Sequence, residues 1–336
     1  MLRRLRRLIP FEAAWFAMAD PATLLFTDAV RVEMPPELTP RFVEDEFLHE
    51  DVNKWVALAK AGASNTLHAA AGGDLYTSYR YREILEPAGF GDELRAALVV
   101  SGVCWGFICL HRGRGDRAFI AREAQTLTRE APAMAIALRE SLLADAVEAG
   151  GDEVGVITLA PDLTLLGMSP QAERWLAELS DEMWPVTHEL PPCVLAVAGR
   201  LMSASGSAHA RLRTAAGTWL KVSATRLSGD AVPGQVAVVL APARPIELAD
   251  VLMSAYSLTQ REREVTSLLL RGRTTKEGAA ELGIATLTFQ QHLKSIFEKT
   301  GAHSRGQLAA ELLAGHYQPR MREGRRVGPS GWFAST

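Results

Sequence analysis

A short stretch near the C-terminus has polar side chains at a spacing that suits hydrogen bonding to another molecule. Wound as a helix, LTFQQHLKSIFEKTG (residues 287–301) would place four apolar side chains on one side, at the spacing of a packed stripe: Phe289, Leu293, Ile296 and Phe297. The opposite side would carry Gln290, Gln291 and Lys294. A glutamine amide can bond bidentately to adenine, and a lysine ammonium can donate to a guanine edge or to phosphate. An ordinary solvated surface is the alternative, so the flanking sequence has to decide.

The residues before this stretch predict how it is positioned. Residues 259–262 and 274–277 both match the Thr-x-x-Glu capping box, in which the two side chains bond the free amides at a helix start. One predicted helix therefore ends at Gly272, and a short second helix runs from about Lys276 to Leu282. A turn at Gly283 leads into the quoted helix, and a fourth follows before Tyr317. A short helix, a glycine turn and a longer helix with a polar face are typical of a helix-turn-helix, whose second helix lies in the DNA major groove.

The helix-turn-helix interpretation assigns two roles to the polar residues. Gln290, Gln291 and Lys294 become candidate readers of base edges. Other cations and hydroxyls become candidate contacts to the phosphate backbone: Thr275, Lys276, Thr286, Thr288, His292, Lys299 and Arg305. A purely structural helical bundle with a solvated face remains open on geometry alone, because antiparallel helix pairs are common.

Charge and composition agree with a nucleic-acid partner for the C-terminus only. The 336 residues are 48% hydrophobic and 22% charged, which suits two or three globular domains. The formal net charge of -3 is uneven, with -8 on the first 256 residues, +2 on residues 257–317 and +3 on the tail from Gln318. Three cysteines cannot pair completely as disulfides, which favours a reducing cytoplasmic location. Pro10 and Glu12 interrupt the first apolar run, so we expect no leader and no membrane partner.

The C-terminal sequence resembles the LuxR-type helix-turn-helix of bacterial transcription regulators, which has LTxREREV, a K-E-I-A helix, H-L-K-x-I-F-x-K and a final S-R-x-x-L. The following residues of this chain match that pattern: Leu258, Thr259, Arg261, Glu262, Glu264, Val265, Gly272, Leu282, Thr288, His292, Leu293, Lys294, Ile296, Lys299, Gly301, Ser304 and Arg305. Three residues depart from it. Gly278 replaces an isoleucine, Ala285 replaces the serine that caps the recognition helix, and Phe289 replaces a valine. Gly278 predicts a lost core contact, and Ala285 predicts a weaker helix start.

The upstream sequence predicts two domains with antiparallel sheets. Strands are expected at residues 23–32 and 94–109 with a hairpin turn at Ser101-Gly102, followed by a long helix over about residues 119–147 that breaks or kinks at Pro132. This part resembles the GAF-like domain of some LuxR-type regulators. Beyond Gly151, a strand, a turn, a strand, a helix opened by Ser169-Pro170 and three later strands resemble a PAS-like domain.

The predicted fold class is therefore multidomain α+β, with two antiparallel-sheet sensor domains before an all-α four-helix helix-turn-helix domain. We expect a GAF-like domain over residues 1–148, a PAS-like domain over 149–243, the DNA-binding domain over 244–318 and a disordered basic tail over 319–336. The resemblance implies a cytoplasmic one-component regulator that binds promoter or operator DNA and whose upstream domains sense an unidentified signal, either a small-molecule effector or a partner. We also expect a homodimer, because one recognition helix reads too few base pairs, and a contact to RNA polymerase.

Two alternatives from other classes stay open. Gly278 and Ala285 would also suit a ligand-binding or protein-interaction module whose DNA-binding end has decayed. An enzyme would need a catalytic constellation, and the sequence contains no nucleophile elbow, P-loop or H-E-x-x-H, so we expect no enzymatic activity and no cofactor. We also expect no metal at Cys104, Cys109 and His111, because the two cysteines are an odd number of residues apart and should lie on opposite faces of their strand.

Overall fold

The computed structural model describes residues 2–143, 153–179, 190–203, 208–229 and 233–314. The chain divides into two compact units, the first with Met1–Ser141, Glu153–Ala215 and Leu220–Ala241, and the second with the helices that follow Pro242. The expected basic tail and the expected end of the long helix near residue 147 lie outside the described residues. The three domain boundaries that the sequence suggests stay predictions.

The first sheet lies near the N-terminus and has five antiparallel strands in the order β2-β1-β5-β4-β3. The elements of this region follow in chain order: α1 (Leu2–Leu8), β1 (Ala13–Ala19), β2 (Phe26–Val32), α2 (Leu38–Leu48), α3 (Trp55–Ala61), β3 (Ser64–Thr66), α4 (Leu67–Ala70), β4 (Phe90–Val100), β5 (Val103–Gly113) and α5 (Ala121–Leu143). The strand expected from residue 23 begins three residues later, because the amides of Thr23 and Leu24 bond back to the Asp20 carbonyl in a turn. Strand β1 was not predicted from the sequence, because a short apolar run has no distinctive period.

Pro132 does not break the long helix. The helix α5 continues from Ala121 to Leu143 with Pro132 inside it. The expected break is therefore absent, because the fixed φ of proline is compatible with a helix, and the expected kink stays a prediction.

The hairpin between β4 and β5 has the predicted turn but not the predicted faces. Ser101 and Gly102 both have positive φ, 52° and 76°, as a tight two-residue hairpin turn requires. The register then shifts between Leu98 and Val99, so that Trp105 is the extra residue of a β-bulge. Cys104 consequently belongs to the same apolar cluster as Phe107 and Cys109. The prediction that Cys104 and Cys109 lie on opposite faces was wrong, because the bulge interrupts the alternation that it assumed.

The second sheet is also antiparallel and repeats the strand order of the first, as β7-β6-β10-β9-β8. Its elements follow in chain order: β6 (Gly155–Leu159), β7 (Leu165–Met168), α6 (Pro170–Leu179), α7 (Pro192–Ser203), β8 (Ala208–Arg213), β9 (Trp219–Arg226) and β10 (Val236–Pro242). The Ser169 hydroxyl accepts a hydrogen bond from the Ala172 amide, which confirms the predicted helix start. The expected strands are present, and the sequence reading missed only α7 among the described elements of this region.

One continuous apolar core serves both sheets. It contains buried residues of β1 and β5 from the first sheet and of α7, β9 and β10 from the second. At its edge, Arg211 of β8 donates to both carboxylate oxygens of Asp20, each at 2.8 Å, and the Asp20 side chain is fully buried. The two sheets of the first unit are therefore joined by packing and by a buried ion pair.

The second unit is helical. Its elements are α8 (Pro245–Ala255), α9 (Gln260–Leu270), α10 (Thr275–Glu281), α11 (Thr286–Thr300) and α12 (Arg305–Ala309), which continues as a wider turn over Ala310–Ala314. Both predicted capping boxes are present at the starts of α9 and α10. The predicted fold class, two antiparallel-sheet regions followed by an all-α region, is confirmed. Within the described ranges, no helix has the length and apolar character needed to span a membrane.

Candidate nucleic-acid interface

Helix α11 is held in place by its apolar face. Of the predicted stripe, Phe289 and Ile296 are fully buried and Leu293 is 8% exposed, whereas Phe297 is only half-buried. The turn before α11 contains Gly283 at φ 64°, a backbone conformation that glycine adopts without strain. Arg261 of α9 donates to the Leu282 carbonyl at 2.9 Å and ties this turn to the domain. The helix is therefore fixed on one side and open on the other.

The open face of α11 carries the predicted base readers. Gln290, Gln291 and Lys294 are all exposed, and the Lys294 side chain has 81% of its surface free. Its ammonium lies 3.9 Å from the Glu298 carboxylate one turn later, which is a weak surface pair. These three side chains are thus able to turn toward a ligand without breaking the fold.

Leu287 lies on the same open face and was missed by the sequence reasoning. It is 66% exposed in the first turn of α11. An exposed leucine between polar residues has no folding role there, but an apolar side chain can contact the methyl group of thymine in the major groove. Its position three residues before Gln290 and seven before Lys294 is the signal that could have identified it.

The predicted phosphate contacts fall into three groups. Lys276 and Thr286 are exposed, whereas Thr275, Thr288 and His292 are half-buried. Lys299 and Arg305 already bind within the domain. The Lys299 ammonium lies 2.6 Å from the Glu262 carboxylate, and Arg305 donates to the Thr275 hydroxyl and to the Arg273 carbonyl.

Glu262 is the centre of a network that joins α9 to α11. One carboxylate oxygen accepts from the Ser295 hydroxyl at 2.7 Å, and the other accepts from Lys299 and from the Thr259 amide. Burial raises the pKa of Glu262, but the hydrogen bonds from Lys299, Ser295 and Thr259 outweigh it and hold the pKa at about 2. The carboxylate therefore stays ionised and positions α11.

Gly278 faces the Phe289 ring. A β-carbon built on Gly278 would lie 2.6 Å from Cε2 and 2.7 Å from Cζ of Phe289. The large residue of α11 thus occupies the space that a side chain at position 278 would need. The predicted loss of a core contact at Gly278 was wrong, because Phe289 supplies it.

Ala285 leaves the start of α11 without a side-chain cap. Its backbone has the extended conformation of an N-cap residue, at φ -65° and ψ 145°, but no side chain bonds the first amides. The first helical amides and the positive end of the helix dipole therefore remain open to an anion.

A short helix, a glycine turn and a second helix with an exposed polar face define a helix-turn-helix domain, the class of fold that places such a face in the DNA major groove. The family model for bacterial regulatory proteins of the luxR family matches residues 256–312. The spore germination protein GerE of Bacillus subtilis is 46% identical over 56 residues, which are 17% of this chain and 76% of GerE. The transcriptional regulatory protein UhpA of Escherichia coli is 40% identical over 58 residues, which are 17% of this chain and 30% of UhpA.

The chain belongs to the luxR family of bacterial regulatory proteins. It is a DNA-binding regulator of transcription, and the expectation that it is not an enzyme agrees with this membership.

Solved structures are similar to longer parts of the chain. A GAF domain and HD domain protein from Geobacter sulfurreducens is 16% identical, covers 43% of this chain and 90% of its own, and has a TM-score of 0.32. SdiA of Escherichia coli is 12% identical, covers 94% of this chain and 87% of its own, and has a TM-score of 0.30.

Proposed function

We propose that the protein is a cytoplasmic one-component regulator that reads a specific DNA site through α11. The exposed face of that helix is the observation that carries the proposal, because Gln290, Gln291 and Lys294 lie on it and are not part of the packed core. Leu287 adds an apolar contact in the first turn of the same face. Amide, cation and methyl contacts of this kind are those that read base edges in the major groove.

Lys276, Thr286 and the uncapped amides at the start of α11 are the phosphate contacts that the geometry favours. Both side chains are exposed. In this proposal, Lys299 and Arg305 mainly hold α11 and the start of α10 in place, because their donor groups already have partners within the domain. Phosphate contacts fix the register of a protein on the duplex without reading its sequence.

The first experiment selects a binding site from a pool of randomised duplex DNA with the full-length protein. We expect enrichment of a two-fold symmetric site. Its affinity should fall steeply as the salt concentration rises, because lysine and arginine side chains that contact phosphates release counterions from the DNA. No enrichment at low salt from folded protein, with or without the segment that precedes Pro245, would contradict the proposal.

Substitutions on α11 test the individual readers. Gln290→Ala and Lys294→Ala should each weaken binding to the selected site by about 1–3 kcal/mol and relax base preference at one position. Gln260→Ala is the matched control, because Gln260 is also an exposed glutamine of this domain but lies on α9. Equal losses on specific and random DNA would show that these residues do not read bases.

Dimerisation forms part of the proposal. Two recognition helices, one from each copy, would read two half-sites about one helical turn apart. On α12 and its continuation, Leu308 and Leu312 are each 1% exposed, so their side chains pack in the core of the helical unit. Sedimentation of the protein with and without the selected duplex tests for two copies per site.

The upstream domains are proposed to receive a small-molecule or protein signal. Aromatic side chains of the first sheet domain line a cavity, among them Trp15, Phe42 and Trp55. The space between these side chains is about the size of a water molecule, so an effector would have to displace them to bind there. If these domains restrain DNA binding, the segment from Pro245 onward should bind the selected site more tightly than the full-length chain does.

The alternative of a decayed DNA-binding end rested on Gly278 and Ala285. Phe289 fills the space beside Gly278, so only the missing cap remains as its support. The two hypotheses differ in one measurement, since a decayed end would be folded but would lack salt-dependent affinity for DNA.

A further inference from the structure

Three potential metal ligands meet on one face of the first sheet. Among the residues that the structure describes, the ligand atoms of Glu93, Cys109 and His111 form a group in which all lie within 4.8 Å of one another. Glu93 of β4 pairs directly with His111 of β5, and Cys109 is two residues from His111 on the same strand. Paired residues and residues two apart share a sheet face, so the backbone itself brings the three side chains together.

The two ring nitrogens of His111 are available as ligand atoms. The side chain is fully buried, and neither Nδ1 nor Nε2 has a hydrogen-bond partner. The rings of Phe42 and Phe90 flank it at centroid distances of 5.8 and 5.0 Å, and they offer no such partner. A buried imidazole with two unpaired nitrogens is costly unless something else occupies one of them.

Cys109 and Glu93 are oriented toward each other. The Cys109 Sγ donates to Glu93 Oε1 at 3.1 Å. The other oxygen of Glu93, Oε2, accepts from Arg80 at 2.9 Å and lies 3.1 Å from Arg95. The two arginines thus hold the carboxylate in place on one side, while Oε1 faces the thiol and the imidazole.

The buried charged groups around the three residues have a net negative charge, which favours a bound cation. The buried network has four carboxylates against three cationic groups: Asp45, Glu46, Asp51 and Glu93 against Lys54, Arg80 and Arg95. One negative charge is therefore in excess, and a Cys109 thiolate would add a second. A divalent cation balances both, whereas a lone buried thiolate would be strongly unfavourable.

We propose that Glu93, Cys109 and His111 bind one divalent transition-metal ion of the zinc class. Thiolate and imidazole ligands select zinc or cobalt rather than magnesium or calcium, which take oxygen ligands. Tetrahedral zinc bonds of about 2.0–2.3 Å need side-chain shifts of only about 1 Å from the present spacing. Binding replaces the thiol S–H bond with a metal–sulfur bond and releases one proton to solvent.

Three protein ligands leave a fourth position for an exogenous ligand. Cys109 and His111 also line the cavity formed by Trp15, Phe42 and Trp55. A sulfur, nitrogen or oxygen donor that enters this aromatic cavity would complete the tetrahedron, as in sites that keep one position open. The proposed metal site therefore lies where the aromatic cavity meets strand β5.

Cobalt titration of the chelator-treated, reduced full-length protein tests the site. We expect one equivalent of Co²⁺ to bind with a near-ultraviolet thiolate-to-cobalt band and visible bands of four-coordinate intensity. One equivalent of Zn²⁺ should displace it, because zinc binds such sites more tightly than cobalt does. One proton should be released per ion bound.

Paired cysteine variants locate the site. Cys109→Ala should abolish the thiolate band and weaken cobalt binding at least about tenfold. Cys104→Ala is the matched control, since Cys104 is a buried thiol on the same strand and in the same apolar cluster. It should leave the spectrum unchanged.

Two results would overturn the proposal: no stoichiometric thiolate band in the wild-type protein, or a band that survives in Cys109→Ala. The wild-type measurement needs no variant to fold. It contains no DNA, so a negative result leaves the proposed recognition by α11 standing.

Discussion

Gly278 and Phe289 share one volume in the helix-turn-helix core. The glycine has no side chain, and the ring of Phe289 lies where one would be, so each residue makes sense only with the other. The sequence identified both positions as departures from the family pattern, with a smaller residue at one and a larger residue at the other. It could not show that the two face each other, because they are eleven residues apart on different helices.

We predict that Gly278→Ala lowers the free energy of unfolding by about 1–3 kcal/mol, although alanine is the better helix former. The added methyl group would overlap the Phe289 ring. With Phe289→Val present as well, Gly278→Ala should become neutral or stabilising. Urea unfolding of the four proteins in a double-mutant cycle measures this coupling.

Gly306→Ala is the control for Gly278→Ala. Gly306 is also a glycine within a helix, but the nearest atom to a β-carbon there is the Ser304 hydroxyl at 3.9 Å. Alanine should therefore be tolerated at position 306. Additive effects in the Gly278 and Phe289 cycle would contradict the shared volume.

At the scale of the helices, Glu262 connects α9 to α11 through Ser295 and Lys299. The sequence predicted Glu262 as the last residue of a capping box, and that role is confirmed. The second role, as partner of α11, depends on packing between helices that local sequence patterns do not describe. The orientation of the exposed face of α11 therefore depends on a buried carboxylate.

The pKa of Glu262 predicts a pH-dependent stability. In the folded protein the pKa is about 2, below the ordinary glutamate value of 4.5, so ionisation stabilises the fold. The contribution should be complete above about pH 4.5 and lost as the pH falls toward 2. Glu262→Gln should lower the free energy of unfolding by about 2–3 kcal/mol at pH 7 and by little near pH 2.

Chemical unfolding of both proteins across that pH range measures the difference. Glu298→Gln is the matched control, because Glu298 is also a glutamate of this domain with 66% of its side chain exposed, and it should change stability little at any pH. A difference between wild type and Glu262→Gln that does not change with pH would show that the network does not depend on the charge.

At the scale of the whole molecule, the first unit contains two sheets that share one core. The Asp20 carboxylate and the Arg211 guanidinium join them, at 7% exposure or less for each side chain. A displacement in one sheet would be passed to the other through these packed contacts, as the proposed sensor role requires.

We predict that removal of one partner destabilises this unit more than removal of both. Asp20→Ala alone should lower the free energy of unfolding by about 3–5 kcal/mol, because Arg211 loses its buried counter-charge. The double variant with Asp20→Leu and Arg211→Met should recover much of that loss, as apolar replacements of buried ion pairs do. Urea unfolding followed by tryptophan fluorescence gives both values.

An exposed ion pair supplies the comparison. Arg4 and Glu130 lie 3.0 Å apart with side-chain exposures of 69% and 27%, so Arg4→Ala should change stability by less than about 1 kcal/mol. A double variant as unstable as Asp20→Ala alone would show that the loss does not come from an uncompensated charge on Arg211.

Local patterns in the sequence determined much of this protein. The capping boxes, the glycine turn before α11, its apolar stripe and its polar face all follow from residues within one or two helical turns of each other. The hairpin turn at Ser101-Gly102 and the alternating strands of the second sheet follow in the same way. Such features depend on short-range sterics and hydrogen bonds, which a sequence displays directly.

Only the tertiary structure decided which distant residues meet. A plain register from the hairpin turn would pair Glu93 with Leu110 and turn Glu93 away from Cys109 and His111. The bulge at Trp105 shifts the pairing by one residue, so that Glu93 lies opposite His111. Because side chains alternate along a strand, a shift of one residue exchanges the two faces of a sheet, and nothing in the local sequence specifies it.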